Sequence, residues 1–264
     1  MDLGLTGATV VVSGGGRGMG RAAARCFADE GARVAVLART QRDLDDVVED
    51  LGRRGSPDPV GCPVDVRDEA QVNEVFADLA TRWGELNVLV NAVGPDVRGS
   101  VADLTDAQWR VAFEDGVLGI VHCVRSSLEL LRKAEWARIV NFSASSTQRQ
   151  TVSLAAYTAA KSMVTSISKN LSLQLAPDEI LVNVISPGSV ASDSLLAWAR
   201  SVGVDTTDPY RLMSAITEHF GHPAHLPRVG QPEEIGPVVA FLASRRNSYM
   251  TGADINVDGG TDFT

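Results

Sequence analysis

The feature that most constrains the fold is a rhythm: short continuous runs of Val, Ile, Leu and Ala alternate along the chain with stretches of helical periodicity. Ala8 to Ser13 reads as a buried strand, and the segment from Gly18 to Glu30 as a helix. Arg33 to Ala38 is a second strand. Gln41 to Arg54 follows as a helix with Leu44, Val47, Val48 and Leu51 at helical spacing. A strand over Val60 to Val66, a helix over Asp68 to Trp83 and a strand over Leu86 to Ala92 continue the series. Thr105-x-x-Gln108 has the form of a capping box that opens a helix. Further strands fall at Arg138 to Phe142, Leu181 to Ile185 and Asp254 to Val257, with helices at Ala155 to Leu175 and Glu233 to Ala243. Such repetition predicts an α/β fold, a doubly wound parallel sheet with helices on both faces. Strands covered on both faces are continuous apolar runs, as these are. The length of 264 residues suits a single domain spanning 1–264.

One segment breaks the rhythm. Ser192 to Arg228 has no strand and carries Trp198, Tyr210, Met213, Phe220 and three of the four His. Inserted before the last helix and strand, it falls over the carboxyl edge of the sheet, where open α/β folds bind ligands. It is expected to form a helical substrate lid over about 192–228. Leu195, Leu196, Trp198, Leu212, Met213 and Phe220 would then either face an apolar substrate or pack the lid itself.

Charge and cysteine usage exclude several function classes. The formal net charge is −9, a poor field for a nucleic-acid binder. Cys26, Cys62 and Cys123 are odd in number and far apart, which fits reduced thiols rather than a disulfide framework. No apolar run reaches the roughly 18 residues of a membrane span. The N-terminus lacks a basic, then apolar, leader, so a cytoplasmic location is expected.

Ser13-Gly14-Gly15-Gly16-Arg17-Gly18-Met19-Gly20 joins the first strand to the first helix. A glycine loop here allows a tight turn at Gly14, close approach of a pyrophosphate at Gly18 and close helix packing at Gly20. The helix N-terminus then offers free N–H groups to an anion. This arrangement makes the sheet Rossmann-type. At the end of the second strand a carboxylate would accept from the ribose of NAD, whereas an Arg would pair with the 2′-phosphate of NADP. This strand ends Leu37-Ala38-Arg39-Thr40, without a carboxylate, and Arg17 supplies a second cation. Both point to NADP(H).

Tyr157 and Lys161, four apart in the long helix, share one helix face. An ammonium beside the phenol would lower the tyrosine pKa and equip it to exchange a proton with an alcohol or carbonyl. The chain has only three Tyr and three Lys in 264 residues, so this spacing is expected by chance about 3 times in 100 such chains.

Together these motifs resemble the short-chain dehydrogenase/reductase family, over nearly the whole chain and in flavour nearest 3-oxoacyl-carrier-protein reductases. The resemblance implies cofactor contacts at Gly14, Arg17, Gly18, Met19, Gly20 and Arg39, and adenine recognition at Asp65 and Val66. It also implies that Asn91-Ala92-Val93-Gly94, with Asn91 and Gly94, lies beside the cofactor. Pro187-Gly188-Ser189-Val190-Ala191-Ser192 resembles the segment that closes over the nicotinamide, implicating Pro187, Gly188, Val190 and Ser192. Tyr157 and Lys161 match the catalytic pair: Tyr157 transfers the proton, while Lys161 lowers its pKa and holds the nicotinamide ribose. A homo-oligomer, a tetramer, is implied by the resemblance alone.

Two positions depart from the family pattern. Its active serine falls 13 residues before the tyrosine, which is Ala144 here. Ser145 takes that role if the loop is one residue shorter, with Ser143 as the alternative; either could instead satisfy backbone groups at a strand end. The family's Asn in Asn-x-x-Gly, which holds a relay water behind the lysine, aligns with Gly116 of Gly116-Val117-Leu118-Gly119. A second water or Asp115 would have to complete that relay. His219-x-x-His222-x-x-His225 has metal-like spacing, but Gly221 and Pro223 break the helix and no Cys or carboxylate completes a set, so no metal is expected. His122 reads as a packed helix residue.

The sequence thus implies an NADP(H)-dependent oxidoreductase that interconverts a secondary alcohol and a ketone, of 3-oxoacyl type or another small apolar carbonyl. The partner is a small molecule, with no nucleic acid or membrane. Gly116 and Ala144 favour a second reading, a dinucleotide-binding sensor or partner with weak catalysis. A third, an epimerase or dehydratase that retains its cofactor, fits the short lid and the Val257-Asp258-Gly259-Gly260 ending less well.

Overall fold

The computed structural model describes residues 2–221 and 223–261. Among these, seven strands form one parallel sheet in the order β3-β2-β1-β4-β5-β6-β7. The strands are β1 Thr9–Ser13, β2 Arg33–Ala38, β3 Val60–Pro63, β4 Val88–Asn91, β5 Ala137–Phe142, β6 Ile180–Pro187 and β7 Asp254–Val257. Nine α-helices accompany them: α1 Gly18–Asp29, α2 Gln41–Arg54, α3 Glu69–Trp83, α4 Asp106–Phe113, α5 Gly119–Lys133, α6 Ala155–Leu175, α7 Asp193–Ser201, α8 Pro209–Phe220 and α9 Pro232–Leu242.

The sheet is covered on both sides because the middles of its central strands are continuous apolar runs, Val10 to Val12 in β1 and Val88 to Val90 in β4. Val10 and Val12 join one core with Phe27 of α1, Leu44 and Leu51 of α2 and Val239 of α9. Val11, between them, joins the other with Val72 and Phe76 of α3, Ile120 of α5 and Val164 of α6. Side chains alternate across a strand, so one unbroken run of valines feeds both layers.

β1 pairs with both β2 and β4. The chain winds outward from β1 through β2 to β3 and then crosses back to β4 on the other side, which opens a crevice at the carboxyl ends of β1 and β4, the topological switch point. Both motif-bearing segments converge there.

Several boundaries differ from the sequence expectation. β3 ends at Pro63 rather than Val66. Proline lacks the N–H a ladder needs, and Asp65 turns the chain by accepting from the Arg67 N–H over 3.0 Å. The expected capping box at Thr105 and Gln108 is present and opens α4. A π-type turn over Glu114–Leu118 then carries the chain into α5. Such turns insert one extra residue and rotate the following helix. Segment 192–228 contributes α7 and α8, whose Ala199, Leu212, Met213 and Ile216 build a small core of their own with Val229. No helix among the described residues is long and apolar enough to cross a membrane.

Candidate active site

The glycine loop fits the crevice because Gly20 permits an approach that no side chain would. A Cβ there would stand 2.4 Å from the Gly14 carbonyl oxygen. The first turn of α1 is thereby locked against the turn after β1, and its residues Gly18, Met19 and Gly20 bring the helix N-terminus to the crevice. A groove of about 440 Å³ runs past this turn. Gly14, Arg17, Gly18, Met19 and Gly20 line one side, Ala38 and Arg39 the end of β2, and Asp65 and Val66 the loop after β3.

Three arginines border this groove, and their partners distinguish them. Arg17 pairs with Asp193 of α7 at 3.6 Å. Arg67 donates to both Asp65 oxygens from Nε at 3.0 Å, and its Nη1 lies 3.4 Å from Asp115. That guanidinium holds the Asp65 carboxyl below its ordinary value. Arg39 is exposed and has no hydrogen bond or ion pair among the described residues. It is the groove cation left available to an incoming anion. Sequence reading identified Arg17 and Arg39 but missed Arg67, whose role appears only once Asp65 and Asp115 are brought together.

The groove opens into a second cavity of about 370 Å³ that contains Tyr157 and Lys161. Gly94, Ser192, Arg17 and Met19 line both, so the two form one continuous site. Lys161 is 4% exposed. Its Nζ donates to the Phe142 carbonyl at 2.8 Å and the Val93 carbonyl at 3.1 Å. These bonds tie α6 to the ends of β5 and β4. Burial draws the Lys161 ammonium down to about 8. Burial also pushes the Tyr157 phenol up to about 12, while Arg98 lowers it and Asp96 raises it. The expected lowering of the tyrosine pKa by Lys161 is therefore not the state of the protein alone. Desolvation outweighs every nearby charge.

The serines separate by their partners. The Ser143 hydroxyl donates to the Lys161 carbonyl at 3.1 Å and accepts from Thr165 at 2.9 Å. Ser146 accepts from Thr158. Ser145, in a short 3₁₀ turn over Ser145–Thr147, lines the cavity, and its hydroxyl has no hydrogen-bond partner among the described residues. Ala144 shares the wall and brings no polar atom.

Not every predicted contact is brought to the site. Asn91 lies buried within the sheet, donates to Asn141 at 2.9 Å and borders neither cavity. Val190 is also buried, its backbone bridging Gly230. The Asn91 side chain is spent within the sheet, and the loop between β6 and α7 turns Val190 into the core. Pro187, Gly188 and Ser192 do line the cavity, and Ser192 also caps α7 by accepting from the Leu195 N–H. Of the apolar residues of 192–228 named from sequence, only Leu195 and Phe220 reach the cavity, joined by Ile216. Leu212 and Met213 are buried within the segment, and Trp198 packs on Phe220 at 4.8 Å. His219 meets the Ala215 carbonyl and the edge of Trp198, whereas His222 lies outside the described residues. His122 is packed as expected, bonded to the Val66 carbonyl.

Gly116 proves to be a packing requirement. A Cβ there would lie 2.9 Å from both the Ala160 Cβ and the Pro95 Cδ. The space a relay asparagine would need is filled by the residue before Lys161 and by the loop after β4. Asp115 does not substitute, because it faces the groove and pairs with Arg67.

Comparison with known proteins agrees with this architecture. A family model described as enoyl-(acyl carrier protein) reductase matches residues 13–262. The chain is 29% identical to a 2,3-dihydro-2,3-dihydroxybenzoate dehydrogenase of Bacillus subtilis over 97% of both chains. It is 31% identical to a meso-2,3-butanediol dehydrogenase of Serratia marcescens, over 95% of this chain and 93% of the relative. Among solved structures, L-sorbose reductase from Gluconobacter frateurii, complexed with NADPH and L-sorbose, superposes with a TM-score of 0.92. It is 27% identical and covers 99% of this chain and 98% of its own. Sequence and fold agree over almost the full length, and the chain belongs to the short-chain dehydrogenase/reductase family of oxidoreductases, which act on alcohol and ketone substrates.

Proposed function

We propose that the protein interconverts a secondary alcohol and a ketone with NADP(H), using Tyr157, Lys161 and Ser145. One observation carries the reading. The unpaired Ser145 hydroxyl and Tyr157 line one cavity, continuous with a groove bordered by the unpaired Arg39. The residues present fit the cofactor, because the groove offers the α1 N-terminus to a pyrophosphate and a guanidinium to a 2′-phosphate. When bound, NADP(H) supplies or accepts a hydride at C4 of its nicotinamide.

Within the chain, Ser145 donates to the substrate oxygen and fixes it beside Tyr157. Tyr157 gives its phenolic proton to that oxygen in reduction and recovers one in oxidation. Its raised pKa keeps the proton in place until substrate binds. Lys161, held between two backbone carbonyls, carries the charge that stabilises the phenolate left behind. Arg39 selects NADP(H) over NAD(H), and the NADPH-bound sorbose reductase supports that choice. Segment 192–228 closes the site as a lid through Leu195, Ile216 and Phe220. The test is Tyr157→Phe, assayed at the NADPH absorbance with a panel of ketones and, separately, for NADPH binding. Lost turnover with retained binding is expected; undiminished turnover would sink the mechanism.

A further inference from the structure

The cavity that Ser145 lines is not the uniformly apolar surface that the lid sequence suggests. Asp96 and Arg98, on the loop between β4 and α4, both line it, with Ser194 of α7. The Ser194 hydroxyl donates to Asp96 Oδ1 at 2.9 Å and accepts from Arg98 Nη2 at 3.0 Å. Arg98 Nε lies 3.8 Å from the same carboxylate oxygen. Burial alternates along this loop: Pro95 and Val97 are buried, Asp96 and Arg98 exposed, so both charged side chains stand on one side.

The cluster is held in register with the reacting centre. Just beyond it, the Gly99 N–H donates to the Ser153 carbonyl at 2.7 Å, and the Ala155 N–H donates to the Gly99 carbonyl at 3.2 Å. Those bonds pin the loop to the first turn of α6, two residues before Tyr157. Arg98 and Asp96 are also the two charges felt at the Tyr157 phenol. Asp96 Oδ2 and Arg98 Nη1 make no hydrogen bond among the described residues, so one acceptor and one donor remain open.

Resting on the alcohol–ketone reading above, we infer that Asp96, Arg98 and Ser194 form a specificity site for a second, uncharged hydroxyl on the substrate, close to the reacting carbon. A hydroxyl donates and accepts at once, and so satisfies a carboxylate and a guanidinium together. A substrate carboxylate would suit Arg98 but would meet the Asp96 charge; an ammonium would meet Arg98. Leu154, Ile216 and Phe220 enclose the remainder, so the substrate class is a small hydroxyketone or vicinal diol with an apolar body.

The test compares butanone, acetoin and acetoacetate, which share a four-carbon skeleton and differ in the second group. Hydrogen bonds to charged groups predict a kcat/KM for acetoin about tenfold above butanone, carried in KM. In the double variant Asp96→Asn/Arg98→Met that ratio should fall to within about threefold, and because both substrates are read on the same protein the ratio controls for folding. Calorimetry on the enzyme–NADP⁺ complex should rank a vicinal butanediol above the mono-alcohol, a ranking lost in the double variant. Equal use of acetoin and butanone, preference for acetoacetate, or a ratio insensitive to the double variant would overturn the inference. If none of the three ketones is reduced, the alcohol–ketone reading fails instead, and the diol ranking alone decides this site.

Discussion

Ser143 and Ser145 stand two residues apart after β5, yet only Ser145 keeps its hydroxyl for the cavity, because Ser143 is bonded to the Lys161 carbonyl and to Thr165. The two should respond oppositely to truncation. Ser145→Ala should cost about 10²-fold in kcat, the scale of one lost oxyanion donor, with little change in melting temperature. Ser143→Ala should leave most activity but lower stability by about 1 kcal/mol, read from a urea melt. Reversed results would reassign the serine.

Gly116 separates a lost relay from a packing requirement. Gly116→Asn forces a side chain against Ala160 and Pro95, 2.9 Å away. Overpacking costs about 1–3 kcal/mol, which corresponds to a melting temperature lower by roughly 2–12 °C. Turnover should fall with it. A variant that gains activity at unchanged stability would show that the relay had simply been missing its amide.

Arg39 is free, whereas Arg17 and Arg67 are engaged with Asp193 and Asp65. Arg39→Ala should therefore weaken NADPH by about 10- to 100-fold while leaving NADH within about threefold, measured by fluorescence titration. Equal weakening of both cofactors would place the 2′-phosphate elsewhere.

Lys161 ties stability to pH. Its folded pKa is depressed to about 8 from 10.5. A group depressed on folding contributes stability above its unfolded value, and that contribution is lost as pH falls through the folded one. Between pH 10.5 and 8 the unfolded chain holds this proton and the folded chain does not. The stability of the cofactor-free protein, minus that of Lys161→Met, should thus rise from pH 8 to 10.5 by up to about 3 kcal/mol. Urea melts across that range provide the measurement, and a flat difference would show that Lys161 stays charged in the fold. Tyr157, raised to about 12 from 10, acts in the opposite sense only above pH 10.

Much of this protein is determined locally. The valine runs, the glycine turn and the four-residue step from Tyr157 to Lys161 are short-range patterns, and each fixes a strand, a helix start or a helix face where it occurs. Accordingly α2, α6, β2 and β7 have the bounds that periodicity predicts. The tertiary structure decided which polar groups are spent and which remain free. Asn91 and Val190 sit in family-like motifs yet turn into the core. Asp65 and Arg67 satisfy one another, and Arg39 does not. Ser194 meets Asp96 across 98 positions of sequence. A side chain's partner depends on distances that no spacing along the chain encodes, so the site's skeleton was legible in sequence, and its specificity only in the fold.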